Sequence, residues 1–532
     1  MFTTHLFAAA AALVIGAAEA SAVDLHLRQT SEFTIPSTGY TSCDALIAAG
    51  LSSSVFFPTD SKYNSSISSY WSGTVQQLRP WCIIQPANTE EVSKAVVALA
   101  KTSPAGNWDI GVRGSGHSHF GSNNVAQGVT IDLSLLNSTV YKNCSVSGPD
   151  HNAKEARHWH VDSQGIVRIG GGSRWSGVFH EIEKYGRTAT GGRQGNVGVG
   201  GLSLGGGASF HTGKRGFTCD DIVNYEIVLA DGTIANANAG ENPDLYRALK
   251  GGGNNFGIVM RFDLQTFEDA KGGLYGGLLF LTYDNRDAIL AQFSRLVEIN
   301  HDHPEDTEVV TFSYGGPGAP MIAVVAINTA GVENSTSFAP LNQLTRVLDD
   351  RSRKTYGKVI TGFATPGCAR SVWFSICFQN NMDVLNKMSA LYDAFVADLT
   401  SLWPELGIAF VIQPLPKHFA NRGNGNNVLG LKKSLTHDSI VWLGQVSMQT
   451  LEQESVAFAK LAALTAELEA YAESKDASTA WRYLNYVNPA QDPLSTYGEE
   501  NVQFLKKVAA EYDPKGFFQT RVSGGFKISR VQ

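Results

Sequence analysis

Charged residues are scarce in this sequence. Only 17% of its 532 residues are Asp, Glu, Lys or Arg, against about a quarter in a typical soluble domain. The 42 basic and 49 acidic residues give a net charge of −7, so the chain lacks the basic excess of a nucleic-acid-binding protein. We therefore expect no nucleic-acid partner. The length exceeds what one hydrophobic core supports, which favours two closely packed domains.

Long apolar runs are also missing after the amino terminus. The one apolar stretch covers residues 6–18 and is followed by two small-x-small triplets within residues 18–22. Although Lys and Arg are absent before it, this pattern predicts a signal peptide over residues 1–22 and a secreted protein. No later run is long enough to span a bilayer, so we expect no membrane partner. Sequons that accept N-linked glycans in secreted chains begin at Asn64, Asn137, Asn143 and Asn334.

Glycine, in contrast, is abundant, with 54 residues. A strand-like run over residues 108–112 leads into a segment that we call the histidine loop, Arg113-Gly114-Ser115-Gly116-His117-Ser118. Because glycine has no side chain, alternating glycines let backbone N–H groups approach a diphosphate. The alternative is a glycine-rich turn with one solvated histidine. The loop predicts an anion site with a reactive histidine beside it.

Further blocks follow in order, beginning with the glycine stretch, Thr190–Ser209, which has the sequence TGGRQGNVGVGGLSLGGGAS. The others cover residues 219–223, 228–233, 242–245 and 250–259. In this order and spacing the blocks closely resemble the flavin-binding domain of the vanillyl-alcohol oxidase and p-cresol methylhydroxylase (PCMH) family. The resemblance is to its berberine-bridge-enzyme-like branch, of the secreted fungal type. It implies FAD as the cofactor and a small-molecule substrate.

The implied fold class is α+β, with a two-part PCMH-type FAD-binding domain and an α+β substrate domain that contains a large antiparallel sheet. The expected boundaries are residues 1–22 for the signal peptide, 23–75 for an irregular wrapping segment, 76–268 for the FAD domain, 269–480 for the substrate domain and 481–532 for a segment that returns to the FAD domain. We expect a monomer.

Local patterns in the first half predict strand–helix units. A strand at residues 81–86 precedes Asn88, which caps a helix with an apolar stripe of Val92, Ala95, Val96 and Leu99. A second unit runs from a strand at 167–172 into a helix over 175–185, ended by Gly186. The glycine stretch is predicted to be an ordered loop, since its glycine content disfavours a helix or a central strand. Asp231-Gly232 indicates a hairpin, and Asn242-Pro243 opens a helix.

After residue 270 the pattern predicts a largely antiparallel sheet covered on one face by helices. The predicted strands are 278–283, 308–314, 321–328, 408–413 and 440–447, and the predicted helices are 286–299, 383–403 and 451–472. This half contains no phosphate-binding pattern.

Cysteine is infrequent, with six residues, which is compatible with an oxidising compartment without requiring one. The family resemblance implies a Cys43–Cys82 disulfide. Proximity in sequence favours Cys368 with Cys377, which would leave Cys144 and Cys219 free.

The resemblance assigns chemistry to three positions around the flavin. His117 matches the family histidine that is bonded to the flavin 8α-methyl carbon; the alternative is a histidine that only hydrogen-bonds the loop. Many members carry a second covalent link through a cysteine, and Gln194 stands at that position, so a single attachment is expected. Val197 occupies the oxygen-gatekeeper position, where a small residue accompanies oxidase behaviour; the alternative is ordinary loop packing.

Tyr483-Leu484-Asn485-Tyr486 resembles the family's Tyr-x-Asn-Tyr pattern, whose second tyrosine removes the substrate proton. A phenol with an ordinary pKa near 10 needs a cation or a similar field to act as a base at neutral pH, and the sequence does not identify one. Related plant enzymes place an assisting tyrosine where this chain has Gly207-Ala208. The alternative is that both tyrosines only pack in the fold.

The catalytic candidates are Tyr486, Tyr483, Val197 and Gln194. The cofactor-binding candidates are Arg113, Gly114, Ser115, Gly116, His117, Ser118, Gly192, Asn196, Val197, Gly198, Gly201, Leu204, Gly205, Gly206, Gly257, Ile258, Val259 and Asn485. The His158-Trp159-His160 run lacks further ligands at metal-binding spacing, so we predict no metal.

Three functions fit these residues. The first is a secreted oxidase that dehydrogenates an alcohol or related C–H group of a carbohydrate, aromatic alcohol or secondary metabolite and reduces dioxygen to hydrogen peroxide. The second is an oxidative cyclase or dehydrogenase of a biosynthetic pathway with another acceptor. The third is a flavin-carrying binding protein without turnover.

Overall fold

Short strands and helices form the region before residue 270. The structure is a computed structural model and describes residues 37–143, 165–364, 367–423 and 426–532. The strands of this region are β1 (Val55–Phe56), β2 (Cys82–Ile84), β3 (Asp109–Arg113), β4 (Gly128–Asp132), β5 (Thr139–Lys142), β6 (Ile166–Gly170), β7 (Arg187–Thr188), β8 (Ile222–Val228), β9 (Ile234–Asn238), β10 (Ile258–Gln265) and β11 (Phe267–Glu268). Its helices are α1 (Thr41–Leu46), α2 (Ser61–Ser68), α3 (Gly73–Gln76), α4 (Thr89–Lys101), α5 (Trp175–Ile182), α6 (Val199–Leu204), α7 (Thr212–Arg215) and α8 (Pro243–Leu249).

These strands form a two-part arrangement. One sheet has the order β1-β2-β4-β3, in which β2, β4 and β3 run parallel. The second sheet is antiparallel with the order β5-β6-β10-β8-β9, and β7 pairs separately with β11. The predicted hairpin at Asp231-Gly232 joins β8 to β9. The two-part arrangement matches the predicted fold.

Local sequence determines the unit that carries the histidine loop. Asn88 caps α4, because its Oδ1 accepts a hydrogen bond from the Glu91 N–H at 2.9 Å, and the predicted stripe of α4 is buried. Strand β3 then leads directly into the loop. The helical turn after α5 ends at Gly186, whose φ of 65° is a left-handed conformation that favours glycine. The predicted strand–helix units are confirmed.

Two predictions of irregular structure are wrong. The described part of the segment 23–75, residues 37–75, contains β1, α1 and α2, and its Ser-rich composition obscured the buried face of α2 at Tyr63 and Ile67. The glycine stretch contains α6. Because Val199 and Ser203 of α6 are buried, tertiary packing overrides the low helix propensity of glycine there.

A large antiparallel sheet dominates the region after residue 270. Its strands are β12 (Leu274–Thr282), β13 (Asp306–Tyr314), β14 (Met321–Asn328), β15 (Arg346–Asp349), β16 (Ser352–Lys354), β17 (Arg370–Gln379), β18 (Gly407–Leu415), β19 (Ser439–Met448) and β20 (Ser478–Thr479). They have the order β15-β12-β14-β13-β18-β19-β17-β20, and β16 also pairs with β12. The helices are α9 (Arg286–Ile299), α10 (Tyr356–Gly362), α11 (Met382–Leu402), α12 (Leu431–Ser434), α13 (Leu451–Ser474), α14 (Glu499–Tyr512) and α15 (Phe517–Thr520).

The two faces of this sheet have different environments. Val310 and Phe312 of β13 are buried in one core with residues of α9, α11 and α13. Because side chains alternate along a strand, Val309 and Thr311 point to the opposite face, where they line a cavity. The predicted α+β region with its large antiparallel sheet is confirmed. Strand β17 was not predicted.

The carboxyl-terminal segment packs back on the first region. Phe517, Phe518 and Val522 share a core with Ile110 of β3 and Ile131 of β4. Residues 39–532 form one compact unit, so the individual domain boundaries within it stay a prediction.

One cysteine prediction is confirmed and one is wrong. Cys43 and Cys82 form a disulfide, and Cys219 is a free, buried thiol. Cys368 and Cys377 are both free. They lie before and within the extended strand β17, and a strand rise of roughly 3.3 Å per residue separates them far beyond the reach of a disulfide.

Some residues named in the predictions lie outside the described ranges, and others lie within them. Residues 1–22, Cys144 and the His158–His160 run lie outside the described residues. The four sequon asparagines are described, and all are exposed. Every helix among the described residues is too short or too polar to cross a bilayer.

Candidate active site

A cavity of about 760 Å³ lies between the histidine loop, the glycine stretch and the large sheet. Most of the predicted functional residues line it. Those residues are Gly114, Ser115, Gly116, His117, Ser118, Gln194, Val197, Gly198, Gly201, Leu204, Gly205, Gly257, Ile258, Val259, Tyr483, Asn485 and Tyr486. The structure therefore brings together, in one cavity, segments that are far apart in the sequence.

His117 presents an unsatisfied ring nitrogen in this cavity. Its Nε2 is buried and has no hydrogen-bond partner, and its ring stacks on Trp71 with centroids 5.0 Å apart. Burial lowers the pKa of His117 to about 4, against a smaller opposing effect of a hydrogen bond with Gln194. The imidazole is thus neutral at pH 7, and a neutral ring nitrogen is the form that can bond to an electrophilic carbon.

Gln194 lies beside His117 and is anchored on its other side. Its Nε2 donates a hydrogen bond to the Phe363 carbonyl at 3.1 Å. An amide at this position cannot form the thioether that a cysteine would form, so it can orient the histidine but cannot add a second attachment.

Glycines bring the histidine loop and the glycine stretch into close contact. A Cβ at Gly198 would lie 2.4 Å from Ser115 Oγ, and one at Gly205 would lie 2.2 Å from Asn485 Oδ1. Gly116 has a φ of +78°, a conformation that side chains disfavour. This part of the cavity is therefore lined by backbone, as a cofactor cradle requires.

Four of the predicted cofactor residues do not line the cavity: Arg113, Gly192, Asn196 and Gly206. The Arg113 side chain points away, donates to the Ser66 carbonyl at 2.6 Å and pairs with Asp132 at 3.4 Å. The Arg113 side chain therefore anchors the start of the histidine loop on the side that faces away from the cavity. At Gly192 a Cβ would lie 2.4 Å from the Trp175 ring, so that glycine permits close packing.

Tyr486 lines the same cavity, and its hydroxyl accepts hydrogen bonds from two side chains. Arg193 Nη2 and Gln413 Nε2 each lie 3.0 Å from Tyr486 Oη. Arg193 Nη2 also donates to Gln413 Oε1 at 2.5 Å. A cation and an amide N–H therefore both donate to the phenolic oxygen of Tyr486. The structure thus places the cation Arg193 beside Tyr486, a neighbour that the sequence did not identify.

Tyr483 has a different environment. It is 3% exposed, and its hydroxyl accepts hydrogen bonds from the Ala208 N–H at 2.7 Å and from Asn485 Nδ2 at 3.1 Å. Burial, with the neighbouring Tyr486, raises the pKa of Tyr483 to about 12. The group remains protonated and positions the motif, with ring centroids of the two tyrosines 4.8 Å apart.

Val197 lines the cavity next to Gly198. Its backbone is fixed on both sides, because its N–H donates to the Gln194 carbonyl at 3.2 Å and its carbonyl accepts from the Trp175 N–H at 3.1 Å. The side chain is therefore held at one place on the cavity surface, where its volume limits the space available.

Sequence reasoning missed Arg193, Gln413 and Trp373, which all line the cavity. Two weak signals could have found the first two. Arg193 is the one charged residue of the glycine stretch, and Gln413 is the polar residue on the alternating face of a predicted apolar strand that also carries Ala409 and Val411. No signal indicated Trp373, because β17 was not predicted.

Comparisons with known proteins agree with this geometry. A family described as FAD binding domain matches residues 80–238. The chain is 30% identical over 498 residues to a FAD-dependent monooxygenase of Aspergillus calidoustus, covering 92% of this chain and 90% of the relative. It is 33% identical over 491 residues to a FAD-dependent monooxygenase of Fusarium proliferatum, covering 86% of this chain and 87% of the relative.

A solved structure shares the fold. Glucooligosaccharide oxidase from Acremonium strictum, described with a 6-S-cysteinyl, 8α-N1-histidyl FAD, superposes with a TM-score of 0.69 at 20% identity. The superposition covers 91% of this chain and 99% of that one.

Proposed function

The chain belongs to the berberine-bridge-enzyme-like branch of the vanillyl-alcohol oxidase and PCMH family and is an FAD-linked oxidoreductase; from this premise we propose that it dehydrogenates an alcohol or a related C–H group and passes the electrons to dioxygen, forming hydrogen peroxide. The observation that carries the proposal is the Tyr486 hydroxyl, held by two donors at 3.0 Å in the same cavity as the unpartnered His117 Nε2.

His117 and the glycine residues around it are the groups that would hold FAD. A buried neutral imidazole whose Nε2 has no hydrogen-bond partner and a cradle that Cβ atoms would fill both fit such a ligand. Acremonium strictum glucooligosaccharide oxidase carries a flavin bonded to a cysteine as well as to a histidine. With Gln194 at the position where the branch places its cysteine, we propose a single covalent attachment here, through His117.

Tyr486 is the proposed general base. When bound, the flavin accepts a hydride from the substrate carbon and returns the electrons to a second acceptor. Tyr486 Oη takes the proton from the substrate hydroxyl, and the Arg193 guanidinium stabilises the phenolate before that transfer. The Gln413 amide fixes the positions of both side chains, because its oxygen accepts from Arg193 and its nitrogen donates to Tyr486.

We propose dioxygen as the second acceptor. Val197, as the small residue at the gatekeeper position, favours dioxygen. The relatives named FAD-dependent monooxygenases support a second candidate, in which an oxygen atom enters the product. A dehydrogenase or cyclase with another acceptor would react slowly with dioxygen, and a binding protein would show no reduction by any substrate.

Oxygen-isotope labelling separates these functions. Turnover under ¹⁸O₂ should give one hydrogen peroxide per product and no ¹⁸O in the product. Incorporation of ¹⁸O would favour the monooxygenase candidate. Slow reoxidation of the reduced enzyme in air would favour the dehydrogenase.

We also propose that the protein is a secreted, monomeric glycoprotein. The exposed asparagines of the four sequons support this. Treatment of the native protein with an endoglycosidase should lower its mass, and an unchanged mass would contradict the assignment.

A further inference from the structure

The sheet side of the cavity is apolar across several strands. In the sheet register, Leu278 of β12 pairs with Val325 of β14, which pairs with Val309 of β13. A second row begins at Thr311 of β13 and continues through Val411 of β18 to Leu443 of β19. We call these six residues the sheet wall; all of them line the cavity.

Aromatic rings extend this surface toward the catalytic tyrosine. Phe210, Phe363 and Trp373 line the same cavity, and the Trp373 ring meets the Tyr486 ring edge-on with centroids 6.2 Å apart. Within the sheet wall only Thr311 carries a hydrogen-bonding side chain. A bound oligosaccharide would bury hydroxyl groups here without partners, which disfavours sugars.

One full positive charge stands at the end of this apolar surface. Among the residues that line the cavity, only Arg193 has a fully charged side chain, because burial keeps His117 and His119 neutral by lowering the pKa of each, to about 4 and about 3. In the described part of the chain, the hydrogen-bond partners of Arg193 are Gln413 and Tyr486, both reached through Nη2. Its Nε and Nη1 donors are left for a ligand oxygen, and a carboxylate or phenolate matches them best.

We infer that the substrate is an apolar, ring-containing molecule with an acidic oxygen group that pairs with Arg193, not a neutral oligosaccharide. The inference rests on the proposed function, since it concerns the molecule that Tyr486 deprotonates. The apolar body lies on the sheet wall, and the acidic group reaches Nε and Nη1 of Arg193.

Binding to the holoenzyme tests the class directly, with naphthoic acid, naphthamide and cellobiose as probes and the flavin absorption spectrum as the readout. Naphthoic acid should bind at least about tenfold more tightly than naphthamide, the scale of a buried charge pair, and cellobiose should not bind at the same concentrations. Arg193→Gln should remove the preference for the acid. Equal affinity for acid and amide, or tighter binding of cellobiose, would overturn the inference.

A matched pair of substitutions tests the wall. Thr311 lines the cavity, whereas Ser313 lies two residues further on the same face of β13 and does not line it. Thr311→Asp should weaken naphthoic acid binding by about tenfold or more, through charge repulsion and loss of the apolar surface. Ser313→Asp should change it by less than about twofold. Equal effects of the two substitutions would remove the wall from the ligand site.

Anaerobic reduction separates this inference from the proposed function. A hydroxymethyl naphthoic acid should bleach the flavin, and cellobiose should not. If cellobiose bleaches it faster, the dehydrogenation stands and the substrate class is wrong. If the naphthoic acids bind but nothing bleaches the flavin, the substrate class stands and the proposed dehydrogenation is wrong.

Discussion

The two sides of the cavity are built in different ways. On the first, glycines at positions 114, 116, 198 and 205 expose backbone around His117, and added Cβ atoms at two of them would collide with neighbours. On the second, the sheet wall presents side chains from separate strands. A backbone surface suits one ligand of fixed shape, whereas a side-chain surface can change by single substitutions. We therefore propose that the first side binds the cofactor and that the second selects the substrate.

Removing His117 tests the cofactor side and has the largest expected effect. In His117→Ala the only proposed attachment is gone, so all of the flavin should leave the polypeptide on acid precipitation. Absorbance of the pellet and supernatant measures this.

His119→Ala is the matched control. His119 also lines the cavity with a buried, unpartnered Nε2, yet its loss should leave the flavin attached. Flavin that stays on the His117→Ala polypeptide would identify another anchor.

Enlarging a valine on each side should separate the two half-reactions. Val197→Leu adds volume at the gatekeeper position, so reoxidation by dioxygen should slow by about tenfold or more while reduction by substrate changes little. Val325→Leu makes the same change on the sheet wall and should alter substrate reduction instead. Stopped-flow rates under anaerobic and aerobic conditions measure both. If Val197→Leu reoxidises as fast as the wild type, the oxidase assignment through Val197 is wrong.

The buried residue His211 lies where the region before residue 270 contacts the region after it. Its ring stacks on Tyr356 of α10 and meets Phe267 of β11 edge-on. Burial, with Arg215 and Lys214, lowers the pKa of His211 from 6.5 to about 3. Between these values the unfolded chain binds a proton that the folded chain excludes, so this contribution to stability is complete above pH 6.5 and is lost as the pH falls toward 3.

The corresponding variant is His211→Phe, which keeps the ring and removes the titration. From about pH 7 to about pH 4, its free energy of unfolding should fall by roughly 3 kcal/mol less than that of the wild type. Urea unfolding at several pH values measures the difference. Exposed His180, replaced by Phe, serves as the control and should retain the wild-type slope. Parallel curves for His211→Phe and the wild type would show that His211 does not govern the acid limb.

The same contrast explains what the sequence could predict. The histidine loop and the glycine stretch are each a continuous run of sequence, so the family resemblance could be recognised from them, and that resemblance implied the positions of His117 and Val197 at the flavin. Arg193 and Gln413 are 220 residues apart and meet only through tertiary structure. The orientation of Arg193 toward Tyr486, and of Arg113 away from the cavity, likewise depends on packing that no local pattern encodes.

Strand β17 shows a further limit. Its sequence, RSVWFSICFQ, mixes apolar and polar residues without strict alternation because it is buried on both faces. The pairing of Cys377 with Cys368 was inferred from proximity alone, and recognition of the strand would have excluded it.

The central claim is that Tyr486, assisted by Arg193, removes the substrate proton where the two sides meet. Its most direct test is the anaerobic rate of flavin reduction in Tyr486→Phe and Tyr483→Phe, each with its flavin content verified. Tyr486→Phe should slow reduction by about two to four orders of magnitude without loss of flavin, and Tyr483→Phe should have a much smaller effect because its hydroxyl only positions Ala208 and Asn485. Small and equal effects of the two substitutions would contradict the account.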